Sequence, residues 1–317
     1  MKKNQFLKMK NNQILIILLL FFLSACDTSD DKKGRFLLKG NEKLKENDAK
    51  SALSFYSEAL ELDSTYADAY YNKGLAHIRL NQLEEGITDF GLAIRFESDY
   101  ADAYFQRGLT YLDNGEFYKA REDAAKLKSL ESENWESYFL SGMVEEKLKN
   151  LDQALVEFQK ASELDPENSD LIVNQATIFF YLKDFESATS LLEKAEVINP
   201  TEPNIHNTYS MIHFEEGEYK AALEAVDKAI TLNNRQAFYY NNKGLYLLYL
   251  GQLEEGLKLI NQSIKMDPKN PFSLRNKGIY FVMKGDKVSA LSYLNELMED
   301  YPEMDLVKYY FDQAQAL

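Results

Sequence analysis

A single repeat length governs this chain. From Lys33 to Met304 the pattern of large and small side chains returns every 34 residues, eight times, with no insertion or deletion. The units begin at Lys33, Ala67, Ala101, Trp135, Ser169, Pro203, Ala237 and Pro271. Numbered from one within each unit, position 8 is Gly40, Gly74, Gly108, Gly142, Ala176, Ser210, Gly244 and Gly278. Position 20 is Ala52, Gly86, Ala120, Ala154, Ala188, Ala222, Gly256 and Ala290. All are small. A fixed period of this length means that one supersecondary unit recurs, and that it buries its apolar faces only by stacking on its neighbours.

Within a unit, positions 4, 8 and 11 share one face of a helix, and positions 20, 24 and 27 share one face of a second. Large residues at position 4 (Phe36, Tyr70, Tyr104, Tyr138) and position 24 (Tyr56, Phe90, Phe158, Leu192) fill the space beside the small ones, which let the helices approach closely. Gly115, Gly217, Gly251 and Gly285 fall between the two helices, where a helix ends in a left-handed residue. Pro166, Pro200, Pro268 and Pro302 at position 32 stop the second helix.

These residues resemble the tetratricopeptide repeat, over 272 of the 317 residues. The resemblance implies an all-α superhelical solenoid of eight helix-turn-helix repeats at 33–304, closed by a capping helix at 305–317 in which Leu306, Tyr310 and Leu317 lie near helical spacing. Position 7, often Leu in the family, is Lys39, Lys73, Arg107, Lys243 and Lys277 here. Their stems are expected along an edge, with the charges in water. Units five and six depart furthest, with Ile172, Ala176, His206 and Ser210; this reads as drift, a bend or a binding site.

The amino terminus has its own logic. Lys2, Lys3, Lys8 and Lys10 precede an apolar run from Ile14 to Leu23, too short for a spanning helix and right for a signal-peptide core. Leu23, Ser24, Ala25 and Cys26 follow, and they resemble the lipobox of bacterial lipoproteins. Cys26 is the sole cysteine, which excludes a disulfide within the chain. The expectation is a signal peptide at 1–25, lipidation of Cys26, a polar tether at 26–32, and a lipid anchor in the cell envelope. The acidic stretch after Cys26 resembles a surface-export signal, and Asp27 directly after it resembles an inner-membrane retention signal. The outer membrane is favoured, and the side is open.

Charge narrows the partners. The net charge is −15, and removing the first ten residues, with four lysines and no acid, takes it to −19. Such a surface repels phosphate backbones, so no nucleic-acid partner is expected. Phosphate-binding loops, nucleophile elbows and zinc-protease motifs are missing from the sequence. His206 and His213 share a helical face but sit at positions 4 and 11, which points to packing and not to a metal. Acid pairs such as Glu84–Glu85 and Glu254–Glu255 lie at helix starts, where they suit the dipole better than a glycosidase role. The chain is therefore expected to be no enzyme and to need no cofactor or metal.

By the resemblance, the first helices line a concave face that takes a protein or peptide partner. Candidate contacts are Tyr71, Asn72, Phe105, Gln106, Phe139, Met143, Asn242 and Asn276. Aromatics with a few polar anchors suit an extended peptide or amphipathic helix, although positions 5 and 9 read equally well as packing against the next unit. A carboxylate clamp of the chaperone-binding members would need Lys where Leu37 and Asp102 stand. The acids at position 2 (Asp68, Asp102, Glu136, Asp170) tolerate a basic rim instead. The function expected is a membrane-anchored scaffold or adaptor in the bacterial envelope, with capture of a small ligand or glycan as the alternative.

Overall fold

The computed structural model describes residues 29–317, in which every regular element is an α-helix. The signal peptide and Cys26 lie outside the described residues. In chain order the helices are α1 Ser29–Lys45, α2 Ala49–Leu62, α3 Ala67–Arg79, α4 Leu83–Phe96, α5 Ala101–Asp113, α6 Phe117–Leu130, α7 Trp135–Lys147, α8 Leu151–Leu164, α9 Ser169–Tyr181, α10 Phe185–Ile198, α11 Pro203–Glu215, α12 Tyr219–Leu232, α13 Ala237–Tyr249, α14 Leu253–Met266, α15 Pro271–Lys284, α16 Lys287–Asp300 and α17 Val307–Ala316. Two compact units divide the chain between Leu148 and Lys149. Within each, a helix packs on the one before it and the one after it.

Seven first helices begin at the residues where the repeat begins. The exception is α1, which starts at Ser29 instead of Lys33, so the last four tether residues are helical. Asp30 and Asp31 in its first turn favour the positive end of the helix dipole, and Lys33 pairs with both Asp30 and Asp63.

Local chemistry sets the ends. Position 15 is left-handed in all eight units: Asn47, Asn81, Gly115, Lys149, Lys183, Gly217, Gly251 and Gly285 have φ between 59° and 79°. The next residue donates its N–H back to position 11, as from Glu116 to Tyr111 O (2.8 Å) and Gln252 to Leu247 O (2.9 Å), which satisfies the last carbonyls of the first helix. Asp48, Asp184 and Asp286 then cap the second helix, each accepting from the backbone N–H three residues on at 3.1 Å. Asn134, Asn168, Glu202 and Asn270 cap first helices, each side chain accepting from the backbone N–H two residues on.

The small positions do what their size requires. A Cβ on Gly74 would lie 2.7 Å from the Phe90 ring, and one on Gly244 2.7 Å from Ile260 and 2.9 Å from the Gly256 carbonyl. Unit three breaks the pattern: position 24 is Ala124, and Leu140 from α7 fills the space beside Gly108. The buried stripe of the first helix is also wider than positions 4, 8 and 11. Ala69, Ala103, Leu171, Ile205 and Tyr239 at position 3 are fully or almost fully buried, because a first helix is covered on more than one side. Tyrosines at position 4 lie nearer the preceding turn. Tyr70, Tyr104, Tyr138 and Tyr240 each donate their hydroxyl to the carbonyl six residues earlier, at 3.0–3.3 Å.

Position 7 differs from expectation. Lys73 Nζ lies 3.0 Å from Asp89 Oδ1, and Arg107 holds Asp123 with two bonds of 2.8 and 2.6 Å. Both aspartates are buried at position 23 of the second helix. Where position 23 is aromatic the cation lies over a ring instead: Lys39 over Phe55 at 5.7 Å, Lys277 over Tyr293 at 5.2 Å. These cations therefore bridge the helix pair.

The last helix is a cap with a shifted register. Leu306 is left-handed (φ 68°), and α17 buries Val307, Tyr310 and Ala314 while Leu317 is exposed. The left-handed residue turns the chain before the helix starts; Leu306 stays half-buried against the core, and the buried stripe passes through Val307, Tyr310 and Ala314 and misses Leu317.

Candidate functional site

In the amino-terminal unit the residues expected to meet a partner come from α3, α5 and α7. Tyr71 is half-buried, its ring 5.1 Å from Tyr100 and 5.8 Å from Phe90. Tyr100 donates its hydroxyl to Asp68 Oδ1 at 2.8 Å. Burial pushes the Tyr71 hydroxyl up to about 12, and Asp102 and Glu136 add to the shift, so both acids lie within electrostatic reach of that ring. Glu136 is itself raised, by burial first and then by Asp102. Asp102 is exposed, Asp68 and Glu136 half-buried. Asn72 turns its amide onto its own helix, donating to Asp68 O at 2.8 Å.

Further along this face Trp135 meets Phe139 edge-on, with ring centroids 5.9 Å apart. Phe139, Met143 and Gln106 are half-buried. Phe105 is only 9% exposed and belongs to the core formed with Leu127 and Leu140. Its position-5 role is packing.

The first helices of the carboxy-terminal unit present a different surface. Asn242 donates to Asn207 Oδ1 at 3.0 Å, and Asn276 to Asn241 Oδ1 at 2.9 Å, each bond linking successive first helices. Asn276 is fully buried, so this amide is held inside the stack and faces no partner. Arg275 beside it is also buried, which pushes its guanidinium down to about 10. It donates to Asn276 Oδ1 at 2.9 Å and to the Asp305 carbonyl at 3.0 Å. Lys183, after α9, sits 3.0 Å from Glu215 and 3.9 Å from Asp305. Tyr310 of the cap donates to the Tyr249 hydroxyl at 3.0 Å. The segment entering α17 thus lies on the first-helix side of this unit. Nothing in the local spacing around Asp305 signals these long-range contacts.

His206 is buried at position 4, and burial holds its imidazole below the ordinary range. His213 lines a shallow groove with it, and its Nδ1 lies 2.9 Å from Glu218 Oε2, which accepts when that nitrogen carries the proton. His213, Glu216 and Glu218 bring ligand-type atoms within 4.8 Å of one another, on a partly exposed turn. No described helix is long and apolar enough to cross a membrane.

Family comparison covers most of the repeat region. The sequence model described as tetratricopeptide repeat matches residues 67–100, 101–134, 136–168, 203–236 and 239–270, and one described as TPR repeat matches 40–81. Units five and eight, 169–202 and 271–304, lie outside these matches, yet each forms its helix pair there, α9 with α10 and α15 with α16. No curated protein matches the chain in sequence. Among solved structures, the APC/C hetero-tetramer Cut9–Hcn1 is similar with a TM-score of 0.66 at 14% identity, covering 88% of this chain and 55% of that one. Yeast Tom70 gives 0.58 at 20%, covering 90% and 64%. A tetratricopeptide repeat protein from Parabacteroides merdae gives 0.59 at 12%, covering 78% and 98%. At these identities the likeness is one of fold.

Proposed function

This chain belongs to the tetratricopeptide-repeat family, and from that premise we propose that it is a scaffold that binds another protein through its first-helix faces and works without catalysis. The observation that carries the reading is the aromatic surface of α3, the start of α5 and α7, where Tyr71, Tyr100, Trp135 and Phe139 remain partly exposed on the first-helix face beside the carboxylates of Asp68 and Glu136. Partly exposed aromatics beside fixed polar groups are the usual anchors of a protein interface.

The second part of the proposal is a lipid tether on Cys26, which would hold this scaffold at a membrane of the cell envelope, the outer membrane being favoured. Its support is the ordered succession of basic residues, apolar run and Leu-Ser-Ala-Cys in residues 2–26. A multiply acylated cysteine anchors firmly where a single chain would not. An adaptor of this kind would bring a partner to the membrane surface.

A photo-crosslinking amino acid placed at Phe139, on the first-helix face, and separately at exposed Tyr118 in α6, tests the binding reading. The expected result is one discrete crosslinked protein from Phe139 and none from Tyr118, after detergent extraction of membranes. Equal, diffuse crosslinking from both positions would overturn it.

A further inference from the structure

We propose that the first-helix face of the amino-terminal unit takes a basic peptide segment, whose Lys or Arg side chains seat against the Tyr71–Tyr100 ring pair between the carboxylates of Asp68, Asp102 and Glu136. The inference rests on the protein-binding reading above and adds the chemistry of the partner.

Charge bookkeeping inside this unit singles the face out. Between the helices every buried carboxylate of this unit has a cation of its own: Asp89 has Lys73, Asp123 has Arg107, and Glu145 of α7 has Arg121 of α6 at 2.9 Å. On the first-helix side Asp102 and Glu136 have no cation within ion-pair distance among the described residues, and Asp68 has only the Tyr100 hydroxyl. Burial and a neighbouring acid both disfavour the charge on Glu136, so a cation arriving there relieves a cost already present. The apolar part of the face points the same way. Two tyrosine rings 5.1 Å apart offer π faces, which attract an ammonium or guanidinium more than an alkyl group of equal size. A net charge of −15 adds long-range attraction for the same partner. An amphipathic helix with an apolar stripe would fit the rings but leave three acids uncompensated.

The chain carries its own reporter, because its only tryptophan, Trp135, neighbours Glu136 and stacks edge-on against Phe139. The test titrates the full chain with a Lys/Ala peptide and with a Glu/Ala peptide of the same length, following Trp135 emission at low and at physiological salt. The expected result is saturable binding of the Lys/Ala peptide alone. Asp102→Asn with Glu136→Gln, near-isosteric changes that keep the fold, should weaken it tenfold or more, and Tyr71→Leu threefold or more. Glu299→Gln with Asp300→Asn, exposed acids on α16, removes the same charge and should change affinity less than twofold. If both double variants weaken binding equally, the attraction is bulk electrostatics and the inference falls. It falls also if the Lys/Ala peptide does not bind while Phe139 still crosslinks to a partner; in that case the scaffold reading stands. Loss of the Phe139 crosslink would remove the scaffold reading itself.

Discussion

At the scale of single residues, size and backbone handedness decide most. Gly244→Ala sets two effects against each other. Alanine favours a helix over glycine by about 1 kcal/mol. Its methyl would meet Ile260 at 2.7 Å and the Gly256 carbonyl at 2.9 Å, and a backbone oxygen in a packed helix cannot step aside. Overpacking of this kind costs about 1–3 kcal/mol, so the variant should lose about 1 kcal/mol, read from the urea midpoint. Lys149 presents the opposite case. It holds a left-handed conformation (φ 64°) at the position where four other units use glycine. Left-handed backbone costs a side-chain-bearing residue about 1–2 kcal/mol, and glycine loses part of that gain to unfolded-state entropy. Lys149→Gly should therefore raise stability by about 0.5 kcal/mol, a shift that thermal melting can resolve.

At the scale of elements, the helix pair is held by more than apolar contact. The Arg107–Asp123 pair joins α5 to α6 with its carboxylate almost wholly buried. Arg107→Leu would strand that carboxylate, and the expected loss is about 3 kcal/mol. Arg107→Leu with Asp123→Leu should recover most of it, since two apolar groups replace two desolvated charges; a double-mutant cycle measures the coupling. Helix starts carry a pH signature. Hydrogen bonds from Ser51, Ser187 and Ser289 hold the capping carboxyls of Asp48, Asp184 and Asp286 below their ordinary range. The folded chain therefore binds protons less readily than the unfolded one, so the caps contribute fully above about pH 4 and fade as acid protonates them. Asp184→Asn should leave the Tm at pH 7 nearly unchanged, since Asn caps about as well. The fall in Tm from pH 5 to pH 2.5 should become shallower. An equally steep fall would show that this cap does not carry the dependence.

At the scale of the whole molecule, the proposed lipid tether makes a prediction of its own. If Cys26 carries the proposed lipid, Cys26→Ser should move the protein from the membrane to the soluble fraction. Unchanged partitioning would remove the lipid tether from the proposal. The two compact units differ on their first-helix sides. In the carboxy-terminal unit the first-helix side is engaged by Asn–Asn bonds and by the segment around Asp305. In the amino-terminal unit the corresponding side sets partly exposed aromatics beside acids that have no cation among the described residues, which is why the binding proposal centres there.

The sequence alone determined the helical class, the period, seven of the eight first-helix starts and the left-handed glycines. Each follows from short-range rules: a helix face repeats every three or four residues, and a turn needs a residue that tolerates positive φ. Tertiary structure decided what those rules do not reach. Position 7 looked like a solvated edge because a lysine or arginine carries no mark of its partner, and Asp89 and Asp123 lie 16 residues further on in another helix. Asn276 looked like a groove residue because an amide reads the same whether it faces water or Asn241, 35 residues away. Which polar groups remain free for a partner is fixed only once the chain has used up the others, and that selection happens between helices.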